Sequence, residues 1–100
     1  MRVYYHAAAR ADGLAAAEWF GAQQQDLQTR FLAQWKNAEN RMAASPQIHR
    51  CFEGELRKCR FEVFPYALVF RIREGDLQVL AVMHMSRRPG YWQARADHMP

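Results

Sequence analysis

Lysine is scarce in this 100-residue chain, with two residues against twelve arginines. Cysteine is equally scarce. Only Cys51 and Cys59 are present, and two thiols make no disulfide framework. No apolar run approaches the roughly 20 residues that cross a membrane. The opening MRVYYHAAAR lacks the apolar core of a secretory signal. Internal repeats, low-complexity tracts and linkers are missing too. These absences exclude a disulfide-stapled secreted scaffold, a membrane protein and a modular array. They leave the expectation of one domain over residues 1–100, cytoplasmic, with reduced thiols.

What is present is apolar surface and arginine. Half of the residues are hydrophobic, which excludes overall disorder and suffices for a modest core. The net charge is +4. Residues 1–49 carry five cations and four acids, and residues 50–100 carry nine cations and six acids. Arginine is a permanently charged planar fork suited to phosphate and carboxylate. A basic C-terminal half therefore points to nucleic acid or an acidic protein as partner, unless the cations are simply a solvated face.

Hydropathy patterning predicts the order β-α-α-β-β-β. Arg2–His6 reads as a short strand. Ala7 to about Gln23 reads as a helix, with Ala7, Ala11, Leu14, Ala15 and Trp19 at helical spacing. Gly13 and Gly21 weaken it by roughly 1 kcal/mol each. Asp26 to about Ala44 is the clearest helix. Leu27, Phe31, Trp35, Ala38 and Met42 form one apolar stripe, Asp26 is a candidate cap, and Pro46 ends the run. Residues 46–55 read as a loop. Leu56–Phe64 then alternates, with Cys59, Phe61 and Val63 on one face and Lys58, Arg60 and Glu62 on the other. Pro65 breaks that run before a strand at Ala67–Arg73. A tight Glu74-Gly75-Asp76 turn leads into the apolar strand Leu77–His84. Met85–Pro100 is irregular or briefly helical. The expected fold is α+β, with a helical hairpin packed on a mostly antiparallel four-stranded sheet.

Several short pieces occur in a telling order. Leu56-Arg57-Lys58-Cys59-Arg60 leads to Phe64-Pro65-Tyr66, then to Leu68-Val69-Phe70-Arg71-Ile72. A Gly-Asp turn follows, then Val79-Leu80-Ala81-Val82-Met83-His84 and Arg87-Arg88-Pro89-Gly90-Tyr91-Trp92. In this order and spacing the chain resembles the RelE/ParE toxin superfamily, which includes plasmid-stabilisation proteins. The resemblance covers nearly the whole chain. It implies a toxin from a bacterial type II toxin–antitoxin module that arrests growth and is neutralised by a cognate antitoxin. It implies one of two targets: DNA gyrase for ParE-like members, or mRNA on the ribosome for RelE-like endonucleases. No cofactor is implied. His49, Cys51 and Cys59 match no familiar zinc spacing.

If the chain is a nuclease, the resemblance assigns Arg71 to the phosphate and makes His84 and Tyr91 the other catalytic candidates. His84 is the group in this set whose ordinary pKa lies near neutrality. Arg57, Lys58, Arg60, Arg87 and Arg88 are then candidates for holding the substrate or target. Plainer readings stand beside these. Arg71 can pair with Glu62 or Glu74, His84 can bond a backbone carbonyl, and Tyr91 and Trp92 can fold back over the core. The His-x-x-Arg ending of the last strand, with Pro-Gly-Tyr-Trp after it, leans towards the ParE-like branch. So does the single lysine of the arginine-rich strand. A non-toxic nucleic-acid- or protein-binding module is the remaining alternative.

Overall fold

Glu74 and Gly75 both take positive φ, 54° and 82°. This is the primed two-residue turn that matches strand twist, and it favours glycine at such a position. It joins the two longest strands of the sheet. The computed structural model describes residues 1–87 and 90–98. Its elements are β1 (Val3–Tyr5), α1 (Ala7–Gln23), α2 (Gln25–Ala44), a 3-10 turn at Pro46–Ile48, β2 (Cys51–Glu53), β3 (Leu56–Arg60), β4 (Tyr66–Arg73), β5 (Asp76–His84) and α3 (Gln93–Ala96). The sheet order is β1-β5-β4-β3-β2. β1 runs parallel to β5, and the other neighbours are antiparallel.

The expected α+β architecture is therefore present, with one correction. The sheet has five strands, because Cys51–Glu53, read as loop, pairs with β3. Three residues carry too little pattern to announce a strand. β3 also stops at Arg60. Phe61 bonds back to the Tyr66 carbonyl at 2.8 Å, so Glu62–Pro65 is a bend and Val63 is 63% exposed, not on the apolar face.

The helices cover one face of the sheet. α2 buries Phe31, Trp35, Ala38 and Met42 against it, as its stripe predicts. Asp26 does not cap α2. Gln24 holds that position, and Asp26 lies in the first turn, where a carboxylate suits the helix dipole.

α1 presents a different face from the expected one. Ala9, Gly13 and Ala17 are buried. Leu14 and Trp19 are 49% and 59% exposed, and Ala7, Ala11 and Ala15 face outward as well. The reason is steric. A Cβ on Gly13 would stand 2.2 Å from Cη2 of Trp35, so the glycine is the seat of that indole. His6 caps α1, its Nδ1 accepting the Ala8 N–H at 3.0 Å.

The C-terminal segment covers the opposite face. Trp92 is fully buried there with Leu56, Val69, Leu80, Ala81 and Met83. Val69 opposes Ala81 and Phe70 opposes Val79, so Leu80 is an extra residue in β5. This bulge turns both Leu80 and Ala81 into the Trp92 cluster.

Candidate functional site

The expected catalytic residues do not converge. Arg71 sits on the Trp92 face of β4 opposite Gln78, and is only 5% exposed. Its Nε donates to Gln78 Oε1 at 2.7 Å, and its Nη2 to the Ala96 carbonyl at 2.9 Å. Nη1 lies 3.5 Å from Glu55 Oε1. Its ion partner is thus Glu55, neither Glu62 nor Glu74. Burial lowers the Arg71 pKa, with Arg73 adding to the effect and Glu55 and Asp97 opposing it.

His84 lies at the far end of β5, paired with Tyr66. Its ring meets the Tyr66 ring edge-on at 5.1 Å, and Tyr66 packs against the helix-side core. His84 Nδ1 accepts the Ser86 N–H at 3.0 Å and lies 2.7 Å from its Oγ. It therefore bonds a backbone donor rather than a carbonyl. Six residues separate Gln78 from His84, roughly 20 Å along a strand. Arg71 and His84 are on opposite faces at opposite ends, too far apart to serve one phosphate.

Tyr91 and Trp92 do fold back over the sheet. The Tyr91 ring centroid lies 3.6 Å from the guanidinium of Arg87 and 5.0 Å from that of Arg95. Its hydroxyl is buried and has no hydrogen-bond partner among the described residues. Burial and then Asp12 raise its pKa, while Arg87 and Arg95 lower it. A hydroxyl in that state is a poor acid. Arg95 ties the segment down through Asp12 and the Leu80 carbonyl. Glu53 accepts from the Trp92 indole at 3.2 Å and from Gln93 at 3.1 Å.

The basic candidates separate into structural and available groups. Arg57 Nη1 donates to the Gln47 and His49 carbonyls, at 3.1 and 2.7 Å, and so holds the loop after α2. Lys58 lies over the Phe52 ring at 4.4 Å. Arg60 is exposed. Arg88 lies outside the described residues. A cleft of about 430 Å³ joins Lys58 and Arg60 to Arg41, His49, Arg50 and Phe52. Arg41 and Arg50 were not anticipated, since they come from the end of α2 and from the loop before β2. Asp12, Glu53, Glu55 and Arg95 were not anticipated either, because their partners are remote in sequence. Among the described residues no helix is long and apolar enough to cross a membrane.

The family model described as the ParE toxin of the type II toxin–antitoxin system parDE matches residues 3–89. The chain belongs to the ParE toxin family. A solved structure described as the chromosomal ParDE TA system from P. aeruginosa has a similar fold. Its TM-score is 0.67 at 15% identity, covering 86% of this chain and 97% of that one. No curated protein matches the sequence. The family match ends at residue 89. The segment that buries Trp92 and masks Arg71 follows the matched residues.

Proposed function

We propose that this ParE-family toxin arrests growth by docking on DNA gyrase in the cytoplasm, and that a cognate antitoxin neutralises it. The observation that carries this reading is the separation of Arg71 from His84. A ribonuclease needs a phosphate clamp and a proton donor or acceptor around one phosphodiester. Here the arginine is spent on Gln78, Glu55 and Ala96, and the imidazole lies on the other face of the sheet. Among the described residues no acid–base set is assembled around Arg71, and this favours action by binding.

The test is gyrase supercoiling in vitro with purified toxin, beside translation of a reporter mRNA by ribosomes. Inhibited supercoiling with intact mRNA is the expected result, and His84→Ala keeps that inhibition. Cut mRNA with unaffected supercoiling would replace this reading with the RelE-like one. Arg71→Ala is a poor probe of chemistry, because the arginine holds the tail to the sheet.

A further inference from the structure

A cationic cleft lies at the β2–β3 edge of the sheet, and its lining includes neither Arg71 nor His84. Arg41, His49, Arg50, Phe52, Lys58 and Arg60 line it. Arg41 is fixed in place. Its Nη2 donates to the Arg60 carbonyl at 2.7 Å, its Nε donates to Asn37 at 2.8 Å, and Glu62 stands 3.6 Å away. Among the described residues, Arg50, Lys58 and Arg60 pair with no carboxylate. Three uncompensated cations converge beside a preorganised fourth. Repulsion among them opposes folding, and an anionic ligand relieves it.

We infer that this cleft binds the phosphate backbone of duplex DNA without reading sequence. Three observations favour that ligand. Lys58 and Arg60 are two residues apart on one strand, and so leave the backbone about 6.6 Å apart on one side. Arginine and lysine at such intervals suit a line of phosphates. A single strand needs aromatic platforms for its bases, and the half-exposed Phe52 ring already carries the Lys58 ammonium over it and meets Trp92 edge-on. A base would have to displace Lys58 from Phe52 to stack there, so contact through the backbone is favoured. An acidic peptide adding as a strand would need the outer edge of β3. There β2 already pairs with Leu56 and Arg57, and beyond it Arg41 Nη2 occupies the Arg60 carbonyl at 2.7 Å. The inference does not depend on gyrase being the target.

The experiment is fluorescence anisotropy of a labelled 20-base-pair duplex titrated with the full chain at several salt concentrations. Three phosphate contacts give a slope of log affinity against log salt near −2.7, at roughly −0.9 per contact. Arg50→Gln, Lys58→Gln and Arg60→Gln each bring the slope about one closer to zero. Arg30→Gln, 11 residues before Arg41 on α2, leaves it unchanged. Melting temperature and circular dichroism of each variant confirm that it folds. The inference fails if the cleft variants fold but keep the parent slope. It also fails if a single-stranded oligonucleotide of equal length binds more tightly than the duplex. Binding of polyglutamate with the same affinity, lost in the same variants, would overturn DNA in favour of an acidic protein.

Discussion

The Arg95 guanidinium meets the Asp12 carboxylate at 2.6 Å and also donates to the Leu80 carbonyl at 3.0 Å. These bonds join the C-terminal segment to α1 and to the bulge in β5. Both side chains are mostly buried, so water does little to replace a lost partner. Asp12→Asn or Arg95→Gln costs about 1.5–3 kcal/mol, the range for hydrogen bonds to charged groups. Urea denaturation of both single variants and the double variant measures their coupling, expected at about 1 kcal/mol or more. Strict additivity would mean that the pair does not anchor the tail.

Gly13 and Gly21 sit in the same helix and respond differently to alanine. Helix propensity favours both replacements by roughly 1 kcal/mol. At Gly13 the new methyl overlaps the rigid Trp35 indole, at 2.2–2.8 Å from three ring atoms. Trp35 is in turn held by its Nε1 donating to Tyr5 at 2.8 Å. Gly13→Ala is therefore destabilising by about 1–3 kcal/mol through overpacking. At Gly21 the nearest atom is the mobile end of Gln28, at 2.4 Å, which can swing away, while its Cβ at 3.0 Å must give by a few tenths of an ångström. Gly21→Ala therefore lowers the melting temperature much less than Gly13→Ala does.

The same helix shows what the sequence conveyed and what it did not. α2 was legible because Phe31, Trp35 and Met42 are large and recur on one side, so only one face can be buried. α1 was legible as a helix but not in its orientation. Alanine is small enough for either face, and the inward row was decided by Trp35, 22 residues from Gly13. Lys58 and Arg60 were legible as neighbours from strand alternation. Arg41 and Arg50, which complete their cleft, arrive from other elements and left no local pattern. Arg71 followed a hydrophobic run and read as a phosphate ligand or as a partner of Glu62 or Glu74. Its partners Glu55, Gln78 and Ala96 depend on strand pairing and on the path of the tail.

His49 gives the fold an acid-side pH dependence. Burial lowers its pKa, and Arg41 and Arg57 lower it further, while the Lys58 backbone acts in the other direction. The unfolded chain therefore binds the proton at higher pH than the folded chain does. Stability rises with pH wherever the unfolded state holds more protons. His49 thus contributes stability above its ordinary pKa near 6.5, and that contribution is lost as pH falls below it. His49→Gln flattens this part of the profile of unfolding free energy between pH 7 and 5. An unchanged slope in the variant would assign the dependence to other groups.

Tyr5 gives the opposite dependence on the alkaline side. Its hydroxyl donates to Glu39 Oε1 at 2.7 Å and accepts the Trp35 indole N–H at 2.8 Å. Burial, then the Glu39 hydrogen bond, push its pKa well above the ordinary tyrosine value, against the smaller effects of Trp35 and Arg10. The folded state consequently keeps the phenolic proton at pH values where the unfolded chain has released it. Stability from this group is complete below about pH 10, the unperturbed value, and declines as pH rises beyond it. Tyr66 and Tyr91, both raised by burial, add to the same slope. Tyr5→Phe loses the bond to Glu39, leaves the Trp35 N–H without its acceptor, and costs about 1–3 kcal/mol at neutral pH. The variant's disadvantage then shrinks between pH 10 and 11, because the parent alone pays for retaining that proton. Parallel pH profiles for the two proteins would show that Tyr5 ionises as freely in the fold as outside it.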